Sequence, residues 1–396
     1  MLPVADALTR ILRLVEPTGT EQVALAEAAG RVLAADAVAT RNQPPFAASA
    51  MDGYAVRAAD AIAGAKLAVT GEAAAGSGHG GAVGPGEAVR IFTGAPVPDG
   101  ADAILIQENA RREGDMIEVA EPPTAWDYIR PIGMDFAEGY CLTAPRRLSS
   151  RETALLAAMN VARLTVRRRP VVALIPTGDE LVEPGQTPGP DQIVSSNDIG
   201  LAAVLAAAGA EPLFCPIARD NRDSLLKALE DAREADFIVT LGGASVGDHD
   251  LVAEVFGDAG LALDFYNIAM RPGKPLMAGR IGGRVMLGLP GNPVSAMVCG
   301  EIFLRPAIDA ALGLPAGPRA QHPAFLNHDL PPNGPREHYM RAIVSPGAGG
   351  TMRCEVAADQ DSSLLATLAR ANALAVRPPH APAAKAGSEV AYIPLD

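Results

Sequence analysis

Between residues 170 and 312, short apolar runs with strand character alternate with segments of helical spacing. The runs are VVALIP, PLFCPI, DFIVTL, DFYNIA and RVMLGLP. Helix candidates lie over 198–209, 222–234 and 250–257, and a long helix is expected from 293. This alternation predicts a mainly parallel sheet with helices on both faces, because parallel neighbours need crossovers that cover the sheet. Ligands of such sheets sit at the carboxyl ends of the strands. Four glycine-bearing segments follow predicted strands: IPTGDEL (175–181), TLGGASVGDHD (240–250), RPGKP (271–275) and LPGNPVSA (289–296). One edge and one pocket are therefore expected.

Outside this region the pattern changes. Residues 2–15 and 20–39 show apolar spacing of three and four, which predicts two helices separated by EPTGT. RNQPPFAASAMDGYAV breaks that pattern and marks a boundary near residue 42. From 43 to 130 the runs KLAVTGEA, EAVRIFTGA and ADAILIQENARREGDMIEVAE read as a β-rich insertion, with a hairpin turning at Glu113, Gly114 and Asp115. Ser149 and Glu152 stand in capping-box spacing before the helical run TALLAAMNVA. That helix is expected to pack with the 20–39 segment as one domain interrupted by the insertion. From about 317, HYMRAIV, RCEVA, ALAVRP and EVAYIPL predict a small β domain.

Composition limits the function classes. Of 396 residues 48% are hydrophobic but only 4% aromatic, so the core must be built from Ala, Val, Leu and Ile. The longest apolar stretch, IGLAAVLAAAGA, is well short of the roughly 18–20 residues that span a bilayer. No membrane span and no secretion signal are expected. Cys141, Cys215, Cys299 and Cys354 lack CxxC spacing, which points to a reducing, cytoplasmic compartment. A net charge of −13 disfavours nucleic acid as a partner. A small anionic substrate needs basic groups gathered locally, and one of only four lysines lies in RPGKP.

In the 240–250 loop, Gly242 and Gly243 permit positive φ and close approach of backbone N–H groups to an oxyanion, and Ser245 adds a donor. The helix after Asp250 would contribute its positive end. The spacing fits neither GxGxxG nor GxxxxGK[ST], and a plain strand-to-helix turn is the alternative. In LPGNPVSA, Pro290 and Gly291 lead to Asn292 as N-cap, Pro293 at the first helical position and Ser295 in the first turn. Ser196 or Asn197 of SSND caps the helix that follows it in the same manner. Asp179, Glu180, Asp220, Asp248 and Asp250 fall on the same predicted edge. Carboxylates beside a phosphate-cradling loop repel the ligand unless a hard cation such as Mg²⁺ lies between them, and solvated loop acids are the other reading. His249 reads as a solvent-facing loop histidine. There is no GxSxG elbow and no Ser, His and Asp spacing that indicates covalent catalysis.

PPFAASAMDGYAV, IFTGAPVPDGADAI, IPTGDELVEPG, SSND, GGASVGDHD, RPGKP and LPGNPVSA, in that order over nearly the whole chain, resemble the molybdopterin molybdenumtransferase family. The C-terminal part of gephyrin is similar to the same family. The resemblance implies a multidomain α/β plus β fold in a homodimer. Its parts are an α/β molybdopterin-binding domain (1–19 with 167–316), a helical linking domain (20–42 with 131–166), a β-rich insertion (43–130) and a C-terminal, barrel-like β domain (317–396). The implied reaction takes adenylylated molybdopterin and molybdate, inserts molybdenum at the dithiolene and releases AMP with Mg²⁺ assisting. Expected partners are the molybdopterin adenylyltransferase and recipient molybdoenzymes.

Carried over by position, Asp52, Thr93 and Asp135 resemble functional positions outside the α/β domain, and Glu180, Asp220 and Asp250 match the acidic, metal-binding cluster. Arg271 and Lys274 match basic positions that hold molybdate or phosphate, Arg as a planar fork and Lys as a point charge. Asn267 stands where the family often has a basic residue. In PREHYMRA the resemblance makes Arg336 the anion ligand and Arg341 the second choice. Ser362 of DQDSSLLATLARANAL is the counterpart of a family serine, although Asp361, Ala366 and Ala373 depart from the pattern. Two alternatives stay open: adenylyl transfer from ATP to molybdopterin, and a scaffold built on the same fold.

Overall fold

The computed structural model describes residues 1–243 and 251–395. The chain forms two compact units, Met1–Glu21 with Arg167–Asp396, and Gln22–Val166.

The first unit holds a six-stranded sheet. Its spatial order is Glu211–Phe214, Val171–Pro176, Phe237–Leu241, Arg284–Leu289, Met277–Ile281, Ala262–Tyr266. The first four strands are parallel, and the last two add antiparallel. In register, Leu174 lies opposite Val239 and Val239 opposite Leu287. All five residues of Phe237–Leu241 are buried, which explains why this strand reads as a continuous apolar run rather than an alternating one. Helices Arg222–Asp231 and Leu251–Asp258 place Leu225, Ala228, Val252, Val255 and Phe256 in one core with Ala173, Ile175 and Ile238. Helix Asn197–Ala208 buries Leu201 and Leu205 and ends on Gly209, whose φ of 95° is left-handed.

The helix expected from residue 293 runs to Ala311, but the turn Gly300–Leu304 is a π-helix between Pro293–Cys299 and Arg305–Ala311. A Cβ at Gly300 would collide with the Leu201 side chain, so the glycine allows close helix packing there.

Beyond it, five strands close into a barrel: Glu337–Pro346, Met352–Val356, His322–Leu326, Glu389–Pro394 and Ala373–Arg377, which returns to Glu337–Pro346. Closure leaves no free edge within the ring. Met340, Ala342 and Val344 alternate towards the barrel core. The two-residue strand Met270–Arg271 adds in parallel to Glu337–His338 and links the RPGKP segment to the barrel.

The second unit contains a six-stranded sheet ordered Ala103–Ile106, Gly53–Val56, Glu87–Ile91, Lys66–Ala73, Met116–Val119, Ala110–Glu113. Its last two strands form the expected hairpin, with Glu113 opposite Met116. Ser149 and Glu152 form a reciprocal capping box at helix Ser150–Ala158.

The helix expected over 20–39 does not form. That segment gives strands Thr20–Ala24, Val32–Leu33 and Ala37–Val38 and a single 3-10 turn, Leu25–Glu27. Its backbone pairs with distant segments: Leu25 N–H donates to Ala162, Gly30 to Leu148 and Ala34 to Thr165. Val23, Leu33 and Ala37 then pack with Leu148, Leu156, Leu164 and Val166. Tertiary pairing outweighs the helix propensity of an alanine-rich stretch, so the linking region is largely β rather than helical. Among the described residues, no helix is long and apolar enough to cross a membrane.

Candidate functional site

The carboxyl ends of Val171–Pro176, Phe237–Leu241 and Arg284–Leu289 meet at one edge. Gly242, with φ of 110°, passes so close to the first strand end that a Cβ would lie 2.7 Å from the Thr177 carbonyl and 2.9 Å from its hydroxyl. Gly291 would place a Cβ 3.4 Å from the Gly242 Cα. Asn197 joins the edge by donating from Nδ2 to the Gly291 carbonyl at 2.8 Å. Around this junction lies a cavity of about 500 Å³ lined by Thr177, Glu180, Ser195, Asn197, Asn292 and Ser363, among others. Gly242 contributes space rather than a donor, because its N–H is already taken by the Leu289 carbonyl at 3.1 Å.

Arg219 fixes the loop after the first strand. Its Nη1 donates to the carbonyls of Gly178, Asp179 and Leu181 at 3.1, 3.2 and 3.0 Å. The Asp179 carboxylate accepts the Asp220 N–H at 3.1 Å, which ties the loops of Glu180 and Asp220 together with both side chains exposed. These are hard oxygen donors of the kind Mg²⁺ selects. Asp250 and Ser245 lie outside the described residues. Among those described, no group of three or more His, Cys, Asp or Glu side chains is placed to share a metal ion.

Asn292 occupies the N-cap position with Pro293 after it, but its side chain makes no capping hydrogen bond. Pro290 and Ser295 are buried in the wall behind. The Val294 N–H donates instead to the Ser362 carbonyl at 3.1 Å, which docks the barrel's 359–363 loop on the same edge. That loop is held from beneath by Arg341. This arginine is fully buried, and its Nη atoms donate to the carbonyls of Asp359, Gln360 and Asp361 at 3.2, 3.1 and 2.8 Å.

Arg271 belongs to a second cavity of about 570 Å³ at the mouth of the barrel, lined also by His338, Met340, Asp359, Asp361 and Arg377. Burial, and then the charges of Arg271, Arg341, Arg336 and Arg377, push the His338 imidazole down to about 4. Lys274 is half-buried, and its carbonyl accepts the N–H groups of Ile268 and Leu276. Asn267 has a left-handed φ of 69°, a conformation asparagine adopts more readily than a lysine or arginine.

In the second unit Asp52 and Thr93 touch. The Asp52 Oδ1 accepts both the N–H and the hydroxyl of Thr93, each at 2.8 Å. Those bonds, assisted by Arg90, hold the carboxyl below its usual range. Asp135 is exposed, and its N–H donates to the Gln43 carbonyl at 2.9 Å. Thr177, Arg219, His338 and Arg377 escaped the sequence reading. Thr177 lies inside the quoted IPTGDEL segment and Arg219 just past PLFCPI, so both carried a positional signal, whereas the pairing of His338 with Arg377 depends on strand register, which the sequence does not display.

Residues 2–160 match the MoeA N-terminal region (domain I and II), residues 173–310 a probable molybdopterin binding domain, and residues 323–395 the MoeA C-terminal region (domain IV). The chain is 36% identical over 393 residues to the molybdopterin molybdenumtransferase of Nostoc sp., covering 96% of this chain and 90% of that one. It is 38% identical over 340 residues to molybdopterin molybdenumtransferase 2 of Mycobacterium tuberculosis, covering 83% and 84%. The crystal structure of the molybdopterin biosynthesis MoeA protein from Pyrococcus horikoshii superposes over the full length of both chains with a TM-score of 0.84 at 28% identity. With all three regions matched in order and identity above 30% over nearly the whole length, the chain belongs to the molybdopterin molybdenumtransferase family.

Proposed function

We propose that this enzyme of molybdenum cofactor biosynthesis takes adenylylated molybdopterin and molybdate, transfers molybdenum to the dithiolene sulfurs and releases AMP. The observation that carries the reading is the shared edge where Thr177, Gly242, Gly291 and Asn197 interlock around a cavity of about 500 Å³. Its size and polar rim suit a pterin with a phosphate-bearing tail.

In this reading Gly242, Gly243, Ser245, Pro290, Gly291, Asn292 and Ser295 bind the substrate. Glu180 and Asp220, with Asp250, hold Mg²⁺. When bound, the cation neutralises charge on the phosphoanhydride. Arg271, Lys274 and Arg336 receive the anionic groups, and Ser362 positions the barrel loop against the edge. Asp52, Thr93 and Asp135 are catalytic polar and acidic groups, and Asp52 and Thr93 reach the partner subunit's site. The sulfur nucleophiles belong to the substrate, in keeping with cysteines whose thiols are pushed up by burial: Cys215 to about 11 and Cys299 to about 12. Electrostatics and positioning then supply most of the rate.

A cytoplasmic homodimer belongs to the same proposal, as do the four-domain division at 1–19 with 167–316, 20–42 with 131–166, 43–130 and 317–396, and encounters with an adenylyltransferase and recipient molybdoenzymes. The test is AMP release from adenylylated molybdopterin by the purified protein with Mg²⁺, with and without molybdate, followed by activation of a molybdenum-free apoenzyme. Molybdate-dependent AMP release with an active product is expected. No release from a folded protein would favour adenylyl transfer or a scaffold.

A further inference from the structure

Arg90 stands on strand Glu87–Ile91 directly opposite Tyr54 of strand Gly53–Val56. Its guanidinium carbon lies 5.2 Å from the Tyr54 ring centroid and 4.8 Å from that of Phe92, two residues on and so on the same face of the strand. Nη1 donates to the Gly53 carbonyl at 3.1 Å, and Nη2 donates to the Gln107 Oε1 at 2.9 Å. The Gln107 N–H in turn donates to the Asp52 carbonyl at 3.1 Å. Arg90 therefore grips the residue after Asp52 directly and Asp52 itself by way of Gln107.

The backbone at this point has little freedom of its own. A Cβ at Gly53 would collide with the Leu105 carbonyl, so the strand passes its neighbour too closely for any side chain. Three restraints then act on one short stretch: Thr93 on the Asp52 carboxylate, Gln107 on the Asp52 carbonyl and Arg90 on the Gly53 carbonyl. The hydrogen bonds of Arg90 go to neutral oxygens and its two faces to rings, an arrangement that suits a planar guanidinium and leaves its charge unspent. The field of that charge reaches the Asp52 carboxyl. Tyr54 and Glu108, which accepts from the Gln107 Nε2 at 3.3 Å, are the neighbouring titratable groups of this cluster.

We propose that Arg90 is a positioning residue for the reaction: acting through Gly53 and Gln107, it sets the direction in which Asp52 presents its carboxylate, and it supplies the cation beside that group. The inference rests on the catalytic role given to Asp52 above. Arg90 needs no contact with substrate in this role, so its loss is felt in turnover, by way of Asp52, rather than in substrate binding.

A double-mutant cycle on the full chain tests it, with molybdate-dependent AMP release as the readout. Arg90→Met is expected to lower kcat about tenfold, while KM for the pterin substrate changes less than about twofold. In an Asp52→Asn background the same substitution is expected to add less than about twofold, because the group it positions is already gone. Arg90→Lys keeps a cation but not the planar fork, so it is expected to restore only part of the lost rate. Should Arg90→Met fail to fold, Gln107→Leu decides: it frees Nη2 but leaves the rings and the Gly53 bond in place, and its loss of kcat should likewise vanish in the Asp52→Asn background. Losses that multiply in the double variant, or wild-type kcat in a folded Arg90→Met, overturn the proposal. If the wild type releases no AMP, the reading of the reaction falls and the clamp is judged without it. The Asp52 carboxyl, followed by NMR of carboxyl-labelled aspartate and assigned by its loss in Asp52→Asn, should then titrate higher in Arg90→Met than in the wild type. An unchanged titration overturns the clamp as well.

Discussion

A single oxygen of Asp52 receives two hydrogen bonds from one residue, the N–H and the hydroxyl of Thr93, each at 2.8 Å. The sequence separates these two residues by most of a β-rich segment, and the fold makes them one polar unit with Arg90 close by. The Thr93 N–H is the largest cause of the lowered carboxyl, so Asp52 carries its charge at neutral pH.

Asp52→Asn retains the shape but removes the charge. It is expected to cut molybdate-dependent AMP release roughly a hundredfold. Unfolding in urea should change little, because the asparagine side-chain oxygen can still accept from Thr93. Thr93→Val should cost less, since the backbone N–H still orients Asp52. Wild-type turnover in Asp52→Asn would remove this residue from the site.

Gly242 offers a stability test of the shared edge. Its φ of 110° and a virtual Cβ 2.7 Å from the Thr177 carbonyl leave no room for a side chain. Gly242→Ala is expected to cost about 1–3 kcal/mol in urea unfolding and to lower turnover by displacing Thr177. A variant as stable as the wild type would show that the loop has slack there.

Burial of His338 makes stability pH-dependent with a definite sign. Its folded value, about 4, lies below the unfolded 6.5, so the unfolded chain binds the proton first. The contribution is therefore present above the unfolded value and is lost as pH falls from there towards about 4. Urea midpoints of wild type and His338→Gln, measured from about pH 7.5 down to about pH 4.5, should diverge, with the wild type losing more stability on acidification. Carboxylate titrations are common to both proteins and cancel in the comparison. Parallel curves would mean that the imidazole is not kept neutral by the fold.

Much of the α/β domain was legible because its signals are local. Phe237–Leu241 is buried on both faces and reads as an unbroken apolar run, and the Ser149 and Glu152 box announces its helix by spacing alone. The glycine loops at strand ends followed from the same logic, since only the carboxyl edge of a parallel sheet gathers them. What escaped depends on partners distant in sequence. Residues 20–39 carry helical spacing, yet Ala34 and Gly30 pair with Thr165 and Leu148, and nothing in the segment itself encodes that choice. Gly242 was read as an anion donor, but Leu289 takes its N–H. The row of Arg271, His338 and Arg377 exists only once barrel register is set.

Arg341 shows how a residue placed by sequence among anion ligands can serve from beneath the site. It is fully buried, its guanidinium holds three successive carbonyls of residues 359–361, and its backbone N–H takes the Gln360 side-chain oxygen at 3.0 Å. Desolvation is the main influence on its charge, so the fold retains an expensive cation to fix one loop. A lysine has one ammonium where three carbonyls are spread along a planar fork, so Arg341→Lys should not rescue the contact. The expected cost is about 2–4 kcal/mol in unfolding, with faster proteolysis between residues 357 and 364. Because the Ser362 carbonyl holds Val294 at the strand-end edge, KM for the pterin substrate should rise with a smaller change in kcat. If Arg341→Lys keeps both the protease resistance and the KM of the wild type, the loop is positioned by the barrel strands alone.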